Sequence, residues 1–195
     1  MTVNTPLGEN MIITHHREKM INAICYFACK TQFCGKIKLL KLLYFLDFRH
    51  FRQTGRSVTG LQYSAWQFGP VPDKLYNELS ETMPADLSDM IQVVKKGDFH
   101  QIVPKKSFCK EWFTNREIKI MDDLIYIFKD SRAEDMVEST HLKHTPWDKT
   151  IQEKGQFSHI DYMLILDDEP DSLTYEEAVD QVNNREEMIR AFGGC

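Results

Sequence analysis

The longest apolar stretch of the chain lies between residues 36 and 54, with the sequence KIKLLKLLYFLDFRHFRQT. Leucine and aromatic residues occupy most positions around a helical projection of this segment, so it leaves little polar surface. A helix of this kind is typical of the centre of a domain, where neighbouring elements cover every face. Gly55 follows, at the place where a left-handed residue ends many helices. The pattern therefore predicts a central helix over residues 36–54.

Helical spacing and N-terminal signals predict further helices on both sides of this segment. Thr14 is the expected N-cap of the first helix, and Pro72 suits the first turn of another. Three capping boxes follow along the chain: Thr114 with Glu117, Ser131 with Glu134 and Thr174 with Glu177. The predicted helices cover residues 17–30, 72–82, 116–129, 133–141 and 174–191. The segment 145–147 (Thr-Pro-Trp) is expected to end the helical stretch before it.

Two regions have the alternating pattern of β-strands. Residues 61–68 alternate and are rich in aromatic side chains, and the sequence Gly69-Pro70-Val71-Pro72 then breaks the chain. Residues 91–94 and 99–103 flank Lys-Lys-Gly-Asp, which predicts a β-hairpin. Together the patterns predict an α+β fold that is mainly helical, with helices around the central helix and a small antiparallel sheet or hairpin.

The 195 residues fit one domain with a short segment at each end. Residues 1–14 contain Pro6 and Gly8 and are expected to form a flexible arm. Residues 15–166 are expected to form the domain. Residues 167–195, an acidic loop and a C-terminal helix, are expected to pack on the domain or extend from it.

Charge divides the chain into two unequal parts. The net charge is −5, but residues 1–116 hold 16 basic and 10 acidic side chains, a net of +6, whereas the remainder holds 8 and 19, a net of −11. An acidic total argues against a general nucleic-acid binder, which needs a broad cationic surface. The two parts are therefore expected to form surfaces with different roles.

The sequence also predicts the compartment. No segment approaches the roughly 20 apolar residues of a transmembrane helix, and the first ten residues do not resemble a secretory signal. Five cysteines form an odd set without the context of a disulfide scaffold. We therefore expect a cytoplasmic protein with no membrane partner.

Two groups of residues raise the question of a metal. Cys25, Cys29 and Cys34 lie close in sequence, but no second cysteine pair follows, and buried free cysteines commonly pack as small apolar side chains. Glu138, His141 and His144 share the three-residue spacing of helical carboxylate sites, but no second Glu-x-x-His motif is present. No nucleotide-binding or hydrolase motif occurs either. We expect no metal, no cofactor and no catalytic residues.

A set of cations surrounds the central apolar segment, in which Asp47 is the only acid. Such a set usually forms a solvated rim, but it can also dock an anionic partner or the acidic tail of the same chain. The set comprises Lys36, Lys38, Lys41, Arg49, Arg52 and Arg56.

Three blocks of sequence resemble the Panacea antitoxin domain, the family of SocA-like and phage-associated GepA-like proteins. The first block is KLLKLLYF at 38–45, the second is TGR at 54–56, and the third is AWQFGPV at 65–71. They match the family pattern in order and spacing. Residues 139–141 (Ser-Thr-His) and 146–147 (Pro-Trp) are similar to its closing positions. The resemblance spans about residues 20–151. The acidic tail from Asp167 onward departs most from this shared region, so we expect it, with Asp167 and Asp168, to make partner-specific contacts.

The resemblance implies an antitoxin, a bacterial or prophage protein encoded beside a toxin that it neutralises by direct binding. It implies a largely helical fold with a small β element, and neither catalytic residues nor a cofactor. The matching positions carry over as fold or interface residues only; these are Lys41, Tyr44, Trp66, Gly69, Pro70, His141 and Trp147. Packing alone explains such residues well, and Tyr44 and His141 can be buried polar groups that satisfy each other.

Two alternatives stay open at this level. SocA-like members deliver a toxin to a cytosolic protease, so the partners of this chain can include a AAA+ protease, with the chain acting as a proteolytic adaptor. A small metal-dependent enzyme is the other alternative, and it depends on the cysteine or Glu-His groups described above.

Overall fold

The computed structural model describes residues 14–97 and 99–192, and the central helix of this structure, α2, spans Lys36–Thr54 as predicted. Buried residues lie all around α2, because other elements cover it on every side. Gly55 ends the helix in the left-handed conformation, with φ of 67°, and its N–H donates to the carbonyl oxygen of Phe51. The expected C-terminal signal is confirmed.

The described residues form eight α-helices and two antiparallel strand pairs, so the prediction of a mainly helical α+β fold is confirmed. Two 3-10 helices, Lys110–Trp112 and Tyr162–Ile165, complete the regular structure. The other helices are α1 (His16–Lys30), α3 (Asp73–Glu78), α4 (Ala85–Ser88), α5 (Asn115–Phe128), α6 (Ala133–Thr140), α7 (Pro146–Lys154) and α8 (Tyr175–Phe192). The strands are β1 (Ser64–Trp66), β2 (Gly69–Val71), β3 (Ile91–Lys96) and β4 (Phe99–Pro104).

Two apolar clusters hold the fold together around α2. The larger cluster joins α1, α2 and α5 with the inner face of the β3–β4 hairpin. The smaller cluster is aromatic and lies on the opposite flank of α2, where Tyr44 and Phe48 pack against Tyr63 and Ile160. Burial of each such side chain contributes roughly 1.5–3 kcal/mol, and α2 supplies more buried residues than any other helix of the described residues.

One of the two hairpins forms as predicted, and the other has a shorter first strand than predicted. The predicted hairpin of residues 91–94 and 99–103 is confirmed, with Ile91 opposite Pro104 and Lys96 opposite Phe99. The predicted strand 61–68 is shorter than expected, because Trp66 pairs with Gly69 and the chain reverses over Gln67 and Phe68. The predicted break at Gly69-Pro70 is therefore the second strand of a hairpin.

Several predicted helix ends were wrong. The chain begins α1 after His15 instead of Thr14, and α3 ends at Glu78, four residues before the predicted end. The box at the start of α6 is shifted by one residue, since the Asp135 carboxylate accepts from the Arg132 N–H at 2.7 Å. The boxes of Thr114 with Glu117 and Thr174 with Glu177 are confirmed.

A second error concerns the segment 145–147. It begins a helix, α7, rather than ending the preceding stretch, because the Thr145 hydroxyl accepts from the N–H of Asp148 and Pro146 occupies the first turn. Threonine at the N-cap followed by proline is a common helix start.

The sequence predicts a flexible arm at one end of the chain and a helix at the other. The predicted arm, residues 1–14, lies outside the described residues except for Thr14. At the other end, α8 buries only Ala178 and exposes Met188 and Phe192. None of the helices in the described residues is long and apolar enough to cross a membrane.

Candidate functional site

The seven positions that the resemblance singled out meet at one place in the structure. Lys41 and Tyr44 lie one helical turn apart on α2, the hairpin β1–β2 packs against them, and the junction of α6 and α7 closes the group. We call this group the motif cluster; it comprises Lys41, Tyr44, Trp66, Gly69, Pro70, His141 and Trp147.

The buried ammonium group of Lys41 holds the second strand of the hairpin. Lys41 is 1% exposed, and its Nζ donates to the carbonyl oxygen of Pro70 at 3.0 Å. Burial lowers the pKa of Lys41 to about 7, because the charged form loses its water without gaining a carboxylate. The side chain thus ties α2 to a backbone group 29 residues further along the chain.

Gly69 lies where the β1–β2 hairpin packs tightly against Lys41 and α6. Its φ of 100° belongs to a region that favours glycine, and the backbone lies directly against Lys41 and α6. A Cβ at this position would overlap Lys41 Nζ and lie 2.7 Å from Thr140 Oγ1. Glycine is therefore required both by the conformation and by the lack of space.

The two tryptophans anchor the hairpin from its other side. Trp147 Nε1 donates to the carbonyl oxygen of Trp66 at 2.8 Å, and the indole of Trp147 stacks on the His141 ring with centroids 4.0 Å apart. Trp66 Nε1 in turn donates to Asp73 at 2.8 Å, which joins the first strand to the start of α3. Each indole N–H thus has a partner, as expected for half-buried tryptophans.

Tyr44 and His141 do not satisfy each other, so the expectation that they form a polar pair was wrong. Tyr44 Oη and His141 Nε2 are both buried and have no hydrogen-bond partner among the described residues. Burial raises the pKa of Tyr44 and lowers that of His141, so both side chains are held neutral. Stacking on Trp147 positions the histidine instead.

A second polar network on α2 was missed at the sequence level. Asp47 is fully buried and accepts from the N–H groups of Val58 and Thr59, each at 2.8 Å, and from the Tyr63 hydroxyl at 2.8 Å. Thr59 Oγ1 also donates to it. The signal available in the sequence was a single acid inside an apolar helix, which requires partners. Asp47 holds the loop that leads from α2 into the hairpin.

The cations around α2 do not form one continuous solvated rim. Lys38 is fully buried, and its Nζ donates to the carbonyl oxygens of Gln32 and Ser131, both at 2.7 Å. Arg52 docks the acidic loop of the same chain, with Nη1 3.1 Å from Asp167 and Nη2 2.7 Å from Asp171. Asp168 lies exposed on the same loop.

The residues of the metal alternatives are not assembled into a site. Within residues 14–97 and 99–192, no three His, Cys, Asp or Glu side chains lie close enough together to hold an ion. Cys25 and Cys34 are buried, and burial raises the thiol pKa of each to about 11. Glu138 and His144 are exposed, whereas His141 packs on Trp147.

The motif cluster therefore fixes, through buried contacts, the position of the β1–β2 hairpin turn at the protein surface. Its polar groups hold the backbone of the hairpin, while the turn between the strands reaches solvent, where the side chain of Phe68 is 66% exposed. Phe157, 67% exposed, lies beside it, and both line a hollow of about 350 Å³ that has Lys41 at its floor. Apolar side chains held at a surface in this way are typical of binding sites.

Comparison with known proteins agrees with this picture. The family model described as "Antitoxin SocA-like, Panacea domain" matches residues 39–148, a span that begins in α2 and ends in α7 and so contains the whole motif cluster. No curated protein and no solved structure matches the chain.

Proposed function

Because the chain belongs to the family of SocA-like antitoxins with a Panacea domain, we propose that it is an antitoxin that neutralises a cognate toxin by binding it directly. The observation that carries this proposal is the family match over the motif cluster. The cluster is buried and holds apolar side chains at the surface, which suits a binding protein better than an enzyme. The chain acts in the cytoplasm beside the toxin that it controls.

The acidic C-terminal part is the proposed place of electrostatic contact with that toxin. Residues 117–195 have a net charge of −11, and Asp168, on an exposed loop, is followed by the exposed acids of α8. If the toxin acts on nucleotides or RNA, a cationic active site is expected, and an acidic surface can cover it. Such complementarity speeds association, because opposite charges steer the two proteins together.

Co-expression with the gene adjacent to the one that encodes this chain tests the proposal. The adjacent product should arrest growth when expressed alone, and co-expression should restore growth and yield a complex that survives purification. Restored growth without a physical complex would contradict direct binding. Restored growth that depends on a AAA+ protease, with falling toxin levels, would indicate a proteolytic adaptor instead.

The acidic surface has its own matched test. Asp168→Lys should slow association with the toxin several-fold at low salt, because it reverses one charge in the acidic part. Asp89→Lys, an exposed substitution in the basic part of the chain, is the control and should leave the association rate within about twofold. Equal rates for the two variants would place the contact elsewhere.

A further inference from the structure

A second surface, distinct from the acidic part, combines an apolar floor with a cationic rim. It is a groove of about 1140 Å³ between the α1–α2 turn, the β3–β4 hairpin and the start of α6. Four large apolar side chains that line it are more than a third exposed: Phe33, Ile37, Val93 and Phe99. Exposed apolar side chains gathered in one place mark interaction sites, whereas scattered ones do not.

The rim of the groove carries three cations. Lys36 and Arg132 are held in place by aromatic rings, with Lys36 Nζ 3.9 Å from the centroid of Tyr76 and Arg132 Cζ 5.2 Å from that of Phe33. Lys96 extends from the exposed end of β3. None of these three groups lies within 4.0 Å of a carboxylate of the described residues, and Glu134 is the one acid among the described lining residues.

The groove continues onto the surface that the motif cluster supports. Ile37 lines both the groove and the smaller hollow beside Phe68 and Phe157. The groove and the smaller hollow therefore adjoin at Ile37, at the start of α2.

We infer that this groove binds an amphipathic segment of the toxin whose apolar side chains fill the floor and whose carboxylates meet Lys36, Lys96 and Arg132. The inference rests on the proposed function and gives it a second contact surface of opposite charge. An apolar floor selects an amphipathic segment, and cations that have no carboxylate partner among the described residues select acidic side chains beside it. Lys36 and Arg132, already held by aromatic rings, lose little freedom on binding, which favours affinity.

The acidic helix α8 of a second copy of this chain is the competing occupant. It exposes Met188, Ile189 and Phe192 next to Glu186 and Glu187, so it has the same chemistry. The toxin is favoured because the motif cluster and the groove residues Val93, Lys96, Phe99 and Arg132 lie within the matched region 39–148, whereas α8 lies outside it.

Titration calorimetry with the purified product of the adjacent gene tests the inference. Lys96→Glu combined with Arg132→Glu should weaken binding at least tenfold, and Val93→Glu should do the same. The matched controls lie outside the groove: Lys110→Glu combined with Lys119→Glu for charge, and Ile127→Glu for an exposed apolar residue. The controls should stay within about twofold of the wild-type affinity.

The outcomes distinguish a failure of the groove inference from a failure of the proposed function. Circular dichroism and thermal melting identify any variant that fails to fold, and Lys96→Gln combined with Arg132→Gln then replaces it, with an expected loss of several-fold. Binding by the wild type that the groove variants retain would overturn the groove while leaving the antitoxin proposal standing. Absence of binding by the wild type would contradict the proposed function itself. A wild-type dimer in sedimentation that the groove variants abolish would make a second copy the occupant and overturn the inference.

Discussion

Trp147 Nε1 donates a hydrogen bond to the backbone carbonyl of Trp66 at 2.8 Å, across 81 residues of sequence. This bond joins the α6–α7 junction to the first strand of the β1–β2 hairpin, and both residues belong to the matched family region. The hairpin turn, with its exposed Phe68, is therefore held by contacts distant in sequence.

Trp147→Phe should lower the free energy of unfolding by about 1–2 kcal/mol, because it leaves the Trp66 carbonyl without its donor but keeps a ring beside His141. Trp147→Ala should cost about 3–5 kcal/mol, since the stacking is lost as well. Urea denaturation measures both losses. Trp112→Phe is the control, because no hydrogen bond of the Trp112 indole is found in the described residues, and its loss should be smaller. Equal losses for the two phenylalanine variants would contradict the role of the bond.

Gly69→Ala should destabilise the protein by about 3 kcal/mol, because the new Cβ meets Lys41 and Thr140 in a backbone conformation that disfavours alanine. Gly97→Ala is the matched control: its φ is also positive, at 62°, but apart from its chain neighbours no atom of the described residues lies within 4 Å of the added Cβ. That variant should lose only about 1 kcal/mol. Thermal melting compares the two, and equal shifts would show that space at Gly69 is not limiting.

The buried Lys41 should make stability depend on pH. Its pKa in the folded protein is about 7, below its ordinary value of 10.5, so above pH 7 the unfolded chain binds more protons than the folded one. Stability relative to Lys41→Met should therefore rise with pH from about 7 towards 10.5, by up to about 1.4 kcal/mol per pH unit. Denaturation of both proteins at pH 6, 7, 8 and 9 measures this difference. A difference that stays constant with pH would mean that the lysine is not desolvated.

Asp47→Asn should lower the free energy of unfolding by about 2–3 kcal/mol, because an amide replaces a carboxylate oxygen that accepts from buried donors. Asp123→Asn removes an exposed carboxylate paired with Lys119 and should cost less than about 0.5 kcal/mol. Urea denaturation compares the variants, and similar values would contradict the proposed role of Asp47 in holding the loop after α2.

Arg52→Gln should release the acidic loop from α2 without unfolding the domain. Amide hydrogen exchange in residues 167–174 should accelerate, because Asp167 and Asp171 lose their shared partner, while exchange in α2 stays unchanged. Arg49→Gln removes a neighbouring cation on the same helix and serves as the control. Unchanged exchange in the loop would mean that other contacts hold it.

The sequence was most informative where a local pattern sets the structure. The apolar run of α2, the Lys-Lys-Gly-Asp hairpin and two capping boxes appear as predicted, because each depends on neighbouring residues. Thr145-Pro146 carries the signal for the start of α7, but the same residues also follow a predicted helix, which favours a helix end there. A single boundary signal does not distinguish the end of one helix from the start of the next when no strong periodicity follows it.

The candidate site depended on tertiary placement and was only partly predictable. The motif positions were identified through the family resemblance, but their convergence on one hairpin follows from the packing of α2 against the α6–α7 junction. Lysines are rarely buried, so the sequence alone favours a solvated rim for Lys38 and Lys41, whereas the structure buries both. Phe33 and Val93 form one groove only because the α1–α2 turn meets the β3–β4 hairpin.

The most direct test is reconstitution with purified components. The activity of the protein encoded beside this chain's gene should fall in proportion to added antitoxin and reach its minimum at a fixed molar ratio, with no protease present. Direct neutralisation predicts this stoichiometric inhibition together with a complex in size-exclusion chromatography. Full toxin activity in the presence of an excess of the folded chain would contradict it.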